Sequence, residues 1–416
     1  MLVPKLRFKR EDGTDYPEWK NQKLSAVSSR VTRKNKGNIT DIPLTIASLY
    51  GLVDQREYFK KTIASQNMEG YYLLHNGEFA YNKSYSKGFD FGAIKRLDRY
   101  DCGALSTLYI CFAVNNKVDS DFMTHYFDSQ KWNKEVSIRC AEGARNHGLL
   151  NISTDDFFDI DMTLPTDLEE QQKIADFLST VDEVIVQSEA EVANLEQQKK
   201  AVMQKIFSQE VRFKREDGTE YPEWENVRLG ELCDLTNGIS KGKDFFGHGN
   251  RMVNLQDVFS SDWLCDNSSF DLVEVTPKEL DEKRVTKGDV LFIRSSVKPS
   301  GVAIPCVIAS EMEDTVFSGF IIRARFFNDI LDMGYKRYCF IESDFRNAVM
   351  KKCSVSANTN INQENLENIK VKVPCLEEQQ KIADFLSAYD EAISYAKQEL
   401  DKWKELKKGL LQQMFV

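Results

Sequence analysis

The residue types that catalysis or metal binding requires are present but scattered. The four histidines have neither an H-E-x-x-H spacing nor a cysteine at ligand distance, and the nine cysteines never form a C-x-x-C pair. No two prolines are adjacent, so the Asn/Asp-Pro-Pro-Tyr/Phe signature of an adenine methyltransferase is missing. Residues 238–243 lack the full spacing of a phosphate-binding loop. We therefore expect no catalytic residue, no metal and no cofactor in this chain.

Short polar and basic segments offer a different chemistry. Arg and Lys bind phosphates, Asn, Ser and Thr reach base edges, and glycine lets a backbone approach a phosphate closely. The candidates in the first half are Arg30, Arg33, Lys34, Lys36, Asn82, Lys83, Ser84, Ser86, Lys87, Lys95, Arg96, Arg145 and Asn146. Those in the second half are Asn237, Ser240, Lys241, Lys243, Arg294, Ser295, Ser296, Lys298, Asn358, Thr359 and Asn360. Any one of them alone suits a solvated turn, and contact of the clusters with DNA is implied by the family resemblance described below.

The charge distribution limits how such a contact forms. A net charge of −10 and a pI near 5.2 argue against a protein that coats nucleic acid nonspecifically through a uniformly basic surface. Residues 25–150 carry 17 Lys plus Arg against 13 Asp plus Glu, whereas residues 230–374 carry 18 against 21. The second region therefore has no bulk attraction for phosphate.

Length and composition set the class of protein. A chain of 416 residues favours two to four domains, and 42% hydrophobic residues suffice for packed cores. No apolar stretch approaches the roughly 18 residues of a membrane span, and the first ten residues lack the apolar run of a signal peptide. We expect a cytoplasmic protein without a membrane partner.

The elements that must position the candidates are repeated along the chain. LRFKREDGTDYPEWKNQKL at 6–24 returns as VRFKREDGTEYPEWENVRL at 211–229, and LEEQQKIADFLS at 168–179 returns unchanged at 376–387. The sequence between these blocks differs. This order predicts a first variable domain over 1–166, a helix over 167–208, a second entry block and variable domain over 209–375, and a second helix over 376–416. The two halves should share one fold and differ in surface.

Both predicted helices carry an apolar heptad seam with a small residue at its fifth position and a lysine at its eighth. The apolar residues of the first seam are Ile174, Leu178, Val181, Ile185, Val192, Leu195, Val202 and Ile206, and Ser188 and Lys199 are its fifth and eighth members. Those of the second are Ile382, Leu386, Tyr389, Ile393, Leu400, Trp403, Leu410 and Met414, with Ala396 fifth and Lys407 eighth. Matching registers favour a mutual coiled coil over two separate surface helices. Because a compact domain links the helices, they should run antiparallel about a pseudo-twofold axis, with a seam on the order of 48 Å.

With these repeats, the chain resembles the specificity subunits of Type I restriction-modification systems. The resemblance covers nearly the whole chain and rests on the doubled LEEQQKIADFLS block and the entry phrases YPEWKNQKL and YPEWENVRLGEL. Further support comes from FAYNKSYSKGFDFGAIKRL at 79–97, KGDVLFIRSS at 287–296, RNHGLLNIS at 145–153 and ANTNINQENL at 357–366. The repeat order is specific, whereas single phrases inside the variable domains are less so.

The resemblance implies a fold and a function. The fold would be α/β (α+β), with two target recognition domains that have strand-rich, partly barrel-like cores joined by the antiparallel coiled coil. Each domain would recognise one half of a bipartite, asymmetric target in double-stranded DNA. Two methyltransferase subunits with S-adenosylmethionine would methylate adenine, and two endonuclease and translocase subunits would use ATP and Mg. The alternative is a tandem-domain coiled-coil scaffold that binds proteins rather than DNA.

Overall fold

The chain forms two compact units in the computed structural model, which describes residues 3–48, 50–59, 67–140, 150–267, 269–355 and 358–416. Unit 1 comprises Met1–Ala190 together with Lys397–Val416, and unit 2 comprises Glu191–Ala396. Both boundaries cut through a long helix, so each long helix gives one end to unit 1 and the other to unit 2. No helix within the described ranges is long and apolar enough to cross a membrane.

Unit 1 is a mixed structure of short strands and helices. Its strands are β1 (Lys20–Lys23), β2 (Ser28–Arg30), β3 (Pro43–Ala47), β4 (Gly51–Asp54), β5 (Tyr72–His75), β6 (Phe79–Asn82), β7 (Ala93–Arg96), β8 (Cys102–Leu105), β9 (Ile110–Val114) and β10 (Asp161–Leu164). Its helices are α1 (Leu24–Val27), α2 (Gln55–Phe59), α3 (Ser120–Asp128), α4 (Asn133–Arg139), α5 (Thr154–Phe158) and the first part of α6 (Leu168–Phe207).

Two four-stranded sheets form the body of unit 1, in the orders β2-β9-β6-β7 and β4-β3-β8-β5. Behind the first sheet lies an aromatic core, in which Phe79 stacks on Phe112 and Tyr81 stacks on Phe157 with centroids 5.4 and 4.6 Å apart. Such pairs add about 0.5–1.5 kcal/mol each to the burial of the rings. The loop that joins β6 to β7 therefore starts and ends on a firmly packed base.

Unit 2 has the same mixed character. Its strands are β11 (Glu225–Arg228), β12 (Cys233–Asn237), β13 (Phe246–Val253), β14 (Trp263–Leu264), β15 (Asp271–Val273), β16 (Val290–Ile293), β17 (Ser295–Ser296), β18 (Pro305–Ile308), β19 (Thr315–Phe317), β20 (Ile321–Phe326), β21 (Ser354–Val355), β22 (Thr359–Asn360) and β23 (Lys370–Val373). Its helices are α7 (Leu229–Leu232), α8 (Leu255–Ser260), α9 (Pro277–Lys283), α10 (Lys336–Cys339), α11 (Ser343–Lys352), α12 (Gln363–Glu367) and the first part of α13 (Leu376–Met414).

The central sheet of unit 2 has five strands in the order β12-β20-β16-β18-β14. Two three-stranded sheets accompany it, β15-β13-β19 and β17-β22-β21. The mixed, strand-rich fold predicted for both halves is confirmed. The sheets that the described residues form stay open, and none of them closes into a barrel.

A shared pattern of main-chain hydrogen bonds relates the two units. Leu97 N donates to Glu78 O and Leu150 N donates to Lys83 O in unit 1. Ile308 N donates to Asp289 O and Ile361 N donates to Arg294 O in unit 2, and each of these residue numbers is 211 higher than its counterpart. The strand β6 thus corresponds to β16. The variable regions share a scaffold although their sequences differ.

The repeated sequence blocks bind each other inside each unit. In unit 1, β1 pairs with β10, and the buried Glu170 accepts hydrogen bonds from Arg7 Nε at 2.6 Å and Trp19 Nε1 at 3.1 Å. In unit 2, β11 pairs with β23, and the buried Glu378 accepts from Arg212 and Trp224 in the same way. Each entry block therefore fixes the start of the long helix in its own half.

The long helices begin just after a proline, where a glutamine side chain closes the turn. Gln171 Nε2 donates to Pro165 O at 2.8 Å, and Gln379 Nε2 donates to Pro374 O at 2.8 Å. Glutamates in both first turns suit the positive end of the helix dipole. These shared features explain why the unchanged LEEQQKIADFLS block starts both helices.

Within each unit, the end of one long helix packs antiparallel on the start of the other. Lys407 binds Asp182 at 2.6 Å in unit 1, and Lys199 binds Asp390 in unit 2. These two lysines are the eighth residues of the predicted seams. Every predicted apolar seam residue is buried or half-buried: Ile174, Leu178, Val181, Val192, Ile206, Ile382, Leu386, Ile393, Leu400, Leu410 and Met414 are buried, and Ile185, Leu195, Val202, Tyr389 and Trp403 are half-buried.

The helix ends also close the cores. Phe207 packs edge-on against Trp224 in unit 2, and Phe415 packs edge-on against Trp19 in unit 1, with centroids 6.1 and 6.5 Å apart. Val211 N donates to Lys205 O at 3.2 Å in unit 2. The counterpart in unit 1 joins distant parts of the sequence, since Leu6 N donates to Gln413 O at 3.0 Å.

Candidate nucleic-acid interface

Two predicted clusters of unit 2 meet in one small sheet. β17 pairs antiparallel with β22, so that Ser295 lies opposite Asn360 and Ser296 lies opposite Thr359. Ser296 and Thr359 are buried, whereas Asn358 and Arg294 are exposed. The sheet therefore holds two segments more than sixty residues apart side by side and leaves polar groups of both at the surface.

A third predicted cluster joins this surface through a segment that the sequence did not single out. Ile239 N donates to Phe317 O, Gly319 N donates to Ile239 O, and Arg294 N donates to Phe320 O. A Cβ at Gly319 would lie 2.0 Å from Ser240 Oγ, so a larger residue here requires the serine side chain to move. The segment 318–320 thus bridges the glycine-rich loop and Arg294. In the sequence, this segment is marked only by Phe320, an aromatic residue that follows a glycine just before a strand.

The polar side chains of unit 2 differ in whether they form ion pairs and hydrogen bonds within the chain. Lys241 donates to Glu279 at 2.8 Å, and this contact lowers the pKa of Glu279 to about 2. Lys243 and Lys298 are exposed and form no ion pair with a described residue. The guanidinium of Arg294 donates one long hydrogen bond, of 3.4 Å, to Gly319 O among the described residues. The buried Asn237 Oδ1 has no hydrogen-bond partner among the described residues.

Unit 1 places its own candidates around the loop between β6 and β7. Lys83 and Ser84 are the counterparts of Arg294 and Ser295. Asn82 Oδ1 accepts from Ser84 N at 3.0 Å, and Ser86 Oγ lies 2.9 Å from Ser48 Oγ. The predicted Arg145 and Asn146 lie outside the described residues, but Leu150, which follows them, binds Lys83 O.

Three predicted cations of unit 1 are held by carboxylates. Arg33 Nη2 contacts both oxygens of Glu78 at 2.8 and 2.7 Å, and Lys95 Nζ contacts Asp128 at 2.6 Å. Arg96 contacts Asp98 and Asp121, each at 2.6 Å, and these carboxylates raise its pKa against the opposing effect of burial. These cations fasten β6, β7 and α3 to their surroundings. A DNA contact by any of them would compete with an existing ion pair.

The remaining predicted cations of unit 1 are more accessible. Arg30, Lys36 and Lys87 are exposed and form no ion pair with a described residue. Lys34 donates to Gly70 O and lies 4.1 Å from the centroid of the Tyr72 ring. Of this group, Lys87 belongs to the same loop as Lys83 and Ser84. The loop between β6 and β7 is therefore the part of unit 1 that best matches the surface of unit 2.

The exposed cations and polar groups of both surfaces are of the types that contact phosphates and base edges. Residues 99–197 and 221–404 match the family model of the Type I restriction modification DNA specificity domain. The matched residues make up more than half of the chain, which therefore belongs to this family.

Curated relatives agree with the family match. The chain is 25% identical over 315 residues to the Type I restriction enzyme MjaVIII specificity subunit of Methanocaldococcus jannaschii, which covers 74% of this chain and 72% of that protein. It is 24% identical over 309 residues to the EcoKI specificity subunit of Escherichia coli K12, which covers 71% of this chain and 61% of that protein.

Solved structures share the fold. A chain from a study of complex assembly and conformational transition of the type I R-M system matches with a TM-score of 0.59, 18% identity and coverage of 96% of this chain and 98% of that one. The S subunit of a Type I restriction-modification system from M. genitalium matches with a TM-score of 0.52, 13% identity and coverage of 100% and 99%. At these identities the likeness concerns the fold alone.

Proposed function

We propose that the chain is the DNA specificity subunit of a Type I restriction-modification complex and that each unit recognises one half of a bipartite, asymmetric DNA target. One observation carries the proposal. The same scaffold occurs twice and presents loops of different sequence at counterpart positions, residues 83–92 in unit 1 and residues 294–303 in unit 2. Different surfaces on one scaffold suit different half-sites. The family match supports this function over that of a scaffold that binds only proteins.

The chemical steps belong to partner subunits in this proposal. Two methyltransferase subunits would use S-adenosylmethionine to methylate adenine, and two endonuclease subunits would use ATP and Mg to translocate and cleave DNA. The role of this chain is to bind the target and to orient it. Lys83, Lys87, Arg294 and Lys298 supply the cations for that binding, since no described carboxylate holds them.

A surface for a partner that occurs in two copies follows from the repeated blocks. Much of their sequence is explained by internal contacts such as those of Glu170 and Glu378. The identical residues that stay at the surface need another explanation. Phe177 and Phe385 occupy the same position of both blocks; each packs edge-on against one entry-block ring, Phe8 or Phe213, and still remains partly exposed. We assign this face of each helix to the methyltransferase subunits.

Aspartate substitutions test the assignment. Phe177→Asp or Phe385→Asp alone should reduce the bound methyltransferase from two copies to one, and the double variant should bind none, because a buried apolar contact becomes charged. Mass photometry of the reconstituted complex measures the copies. Tyr395→Asp is the matched control, since Tyr395 is an exposed aromatic residue on α13 outside the repeated block. Two retained copies in the double variant would contradict the assignment.

The function itself is tested by mapping adenine methylation across the genome of the host. Deleting the gene for this chain should remove one bipartite motif, and restoring it should bring the motif back. A chain with residues 294–303 replaced by those of a relative should restore a motif that is altered in one half only. An unchanged methylome in a strain that expresses the methyltransferase subunit would refute the proposed function.

A further inference from the structure

Each candidate surface presents two exposed apolar side chains, one in the loop after β6 or β16 and one just before β9 or β20. In unit 2 these are Val297, 82% exposed, and Phe320, 59% exposed. In unit 1 Tyr85 is 52% exposed and Leu108 is 70% exposed. Tyr85 follows β6 and Leu108 precedes β9, as Val297 follows β16 and Phe320 precedes β20. The strand registers agree, since Tyr81 lies opposite Ile110 and Phe292 lies opposite Ile322.

In unit 2 the exposed pair belongs to a groove of about 570 Å³. Its lining includes Phe259, Ser296, Val297, Lys298, Gly301 and Phe320. A side chain at Gly301 would collide with Ser296 Oγ and lie 3.1 Å from the ring of Phe259, so glycine keeps this part of the groove open. Lys298 is the single charged residue of this described lining, and no carboxylate belongs to it.

The charge and the surroundings of the groove indicate which ligand fits. Ser295 and Asn358 line the groove, and Arg294 N donates to the main-chain oxygen of Phe320, so the groove adjoins the surface assigned to DNA. The cations at the rim suit a ligand that carries phosphates. The apolar floor suits an apolar group on the part of that ligand that the protein recognises. In the major groove of DNA, the 5-methyl group of thymine is that group, and apolar side chains recognise it by direct contact.

We propose that Val297 and Phe320 contact the 5-methyl group of a thymine in the half-site that unit 2 recognises. Lys298 and Arg294 hold the flanking backbone or a neighbouring base. The inference rests on the proposed function, and it adds a base and a chemical group to it. For the half-site of unit 1, Leu108 is the counterpart of Phe320, and Tyr85 lies one position before the counterpart of Val297.

Replacing thymine by uracil tests the inference, because it removes the methyl group and leaves the hydrogen-bonding edges intact. The full chain in complex with its methyltransferase is titrated with duplexes that carry uracil at one thymine of the unit 2 half-site at a time. One such replacement should weaken binding about fourfold, as expected for the loss of one buried methyl group. In Val297→Ala and Phe320→Ala, the affinities for the thymine and uracil duplexes should converge.

Phe327→Ala serves as the control, since Phe327 is also exposed in unit 2 but does not line the groove. It should keep the full difference between thymine and uracil. A half-site without thymine, or a uracil penalty that both groove variants retain, would overturn the inference while specific DNA binding stands. Loss of specific binding by the unmodified complex on every duplex would instead refute the proposed function.

Discussion

The loops that follow β6 in unit 1 and β16 in unit 2 have the same length and the same anchor points but different chemistry. Residues 83–92 read KSYSKGFDFG and residues 294–303 read RSSVKPSGVA. Gly92 has a φ of +81° and its counterpart Ala303 has a φ of +52°, so the scaffold imposes a left-handed conformation even on alanine. The backbone of this region is conserved between the units by main-chain hydrogen bonds. Because such bonds do not depend on side chains, the recognition surface is free to vary.

The buried hydrogen-bond networks of Glu170 and Glu378 at the starts of the long helices should contribute equally to the stability of the two units. Removing them should have the largest effect of the changes considered. Glu170→Ala and Glu378→Ala should each reduce the free energy of unfolding by about 3–5 kcal/mol, because each leaves a half-buried arginine without its carboxylate. Urea denaturation of the two variants measures the loss. A cost below 1 kcal/mol in one unit alone would mean that the networks are not equivalent.

Substitutions in the two candidate surfaces should each affect a different half-site, although the underlying scaffold is shared. Arg294→Ala should weaken binding or relax recognition of one half-site by roughly 1–3 kcal/mol, and Lys83→Ala should act on the other half-site alone. Binding to duplexes altered in each half in turn measures both effects. Arg96→Ala is the control, since its guanidinium is bound by Asp98 and Asp121 and its loss should leave the sequence preference unchanged. The same half-site affected by Arg294→Ala and Lys83→Ala would contradict the one-to-one assignment.

The smallest expected difference concerns pH. The buried His125 lies 3.1 Å from Ser179 Oγ in unit 1, and burial lowers its pKa. Unit 2 has Tyr338 beside the corresponding ion pair, where its hydroxyl donates to Asp390 at 2.7 Å. The histidine stabilises the fold above its unfolded pKa of about 6.5, and this stability is lost as pH falls toward the lower folded value. Unit 1 should thus loosen first on acidification.

Hydrogen exchange of α3 and of α10 between pH 7 and pH 5 measures this difference. The exchange should accelerate in α3 only, after correction for the intrinsic pH dependence of the amides. His125→Gln should remove the acceleration, because glutamine does not titrate. Equal acceleration in both helices, or an acceleration that His125→Gln retains, would assign the pH dependence to other groups.

The sequence predicted the scaffold better than the surface. The doubled blocks predicted two halves of one fold, and the heptad pattern predicted the helices, because repeats and periodicity are local properties of the sequence. The predicted seam also gave the positions of Lys199 and Lys407, which bind Asp390 and Asp182. Their carboxylate partners come from the other helix, so the pairing itself was not visible.

The candidate surface was harder to predict, because whether a cation is available to bind DNA depends on ion-pair partners that are distant in the sequence. Arg33 binds Glu78, and Arg96 binds Asp121 25 residues further along the chain. Nothing in the local sequence distinguishes these cations from Lys83 or Lys298. The pattern Gly-acid-x-x-aromatic-x-cation-Ser, which residues 77–84 share with residues 288–295 at every position, contains the signal that would have aligned the loops.

The hydrogen bond from Leu6 to Gln413 has a consequence for the order of events during synthesis. Unit 2 is a continuous stretch of chain, whereas unit 1 needs residues 397–416 to complete its core around Phe415. A ribosome makes unit 1 residues first, but those residues must wait for the whole of unit 2 to emerge before Trp19 meets Phe415. The half that is translated first is therefore the half that matures last, and its incomplete core is the state that chaperones and proteases would meet.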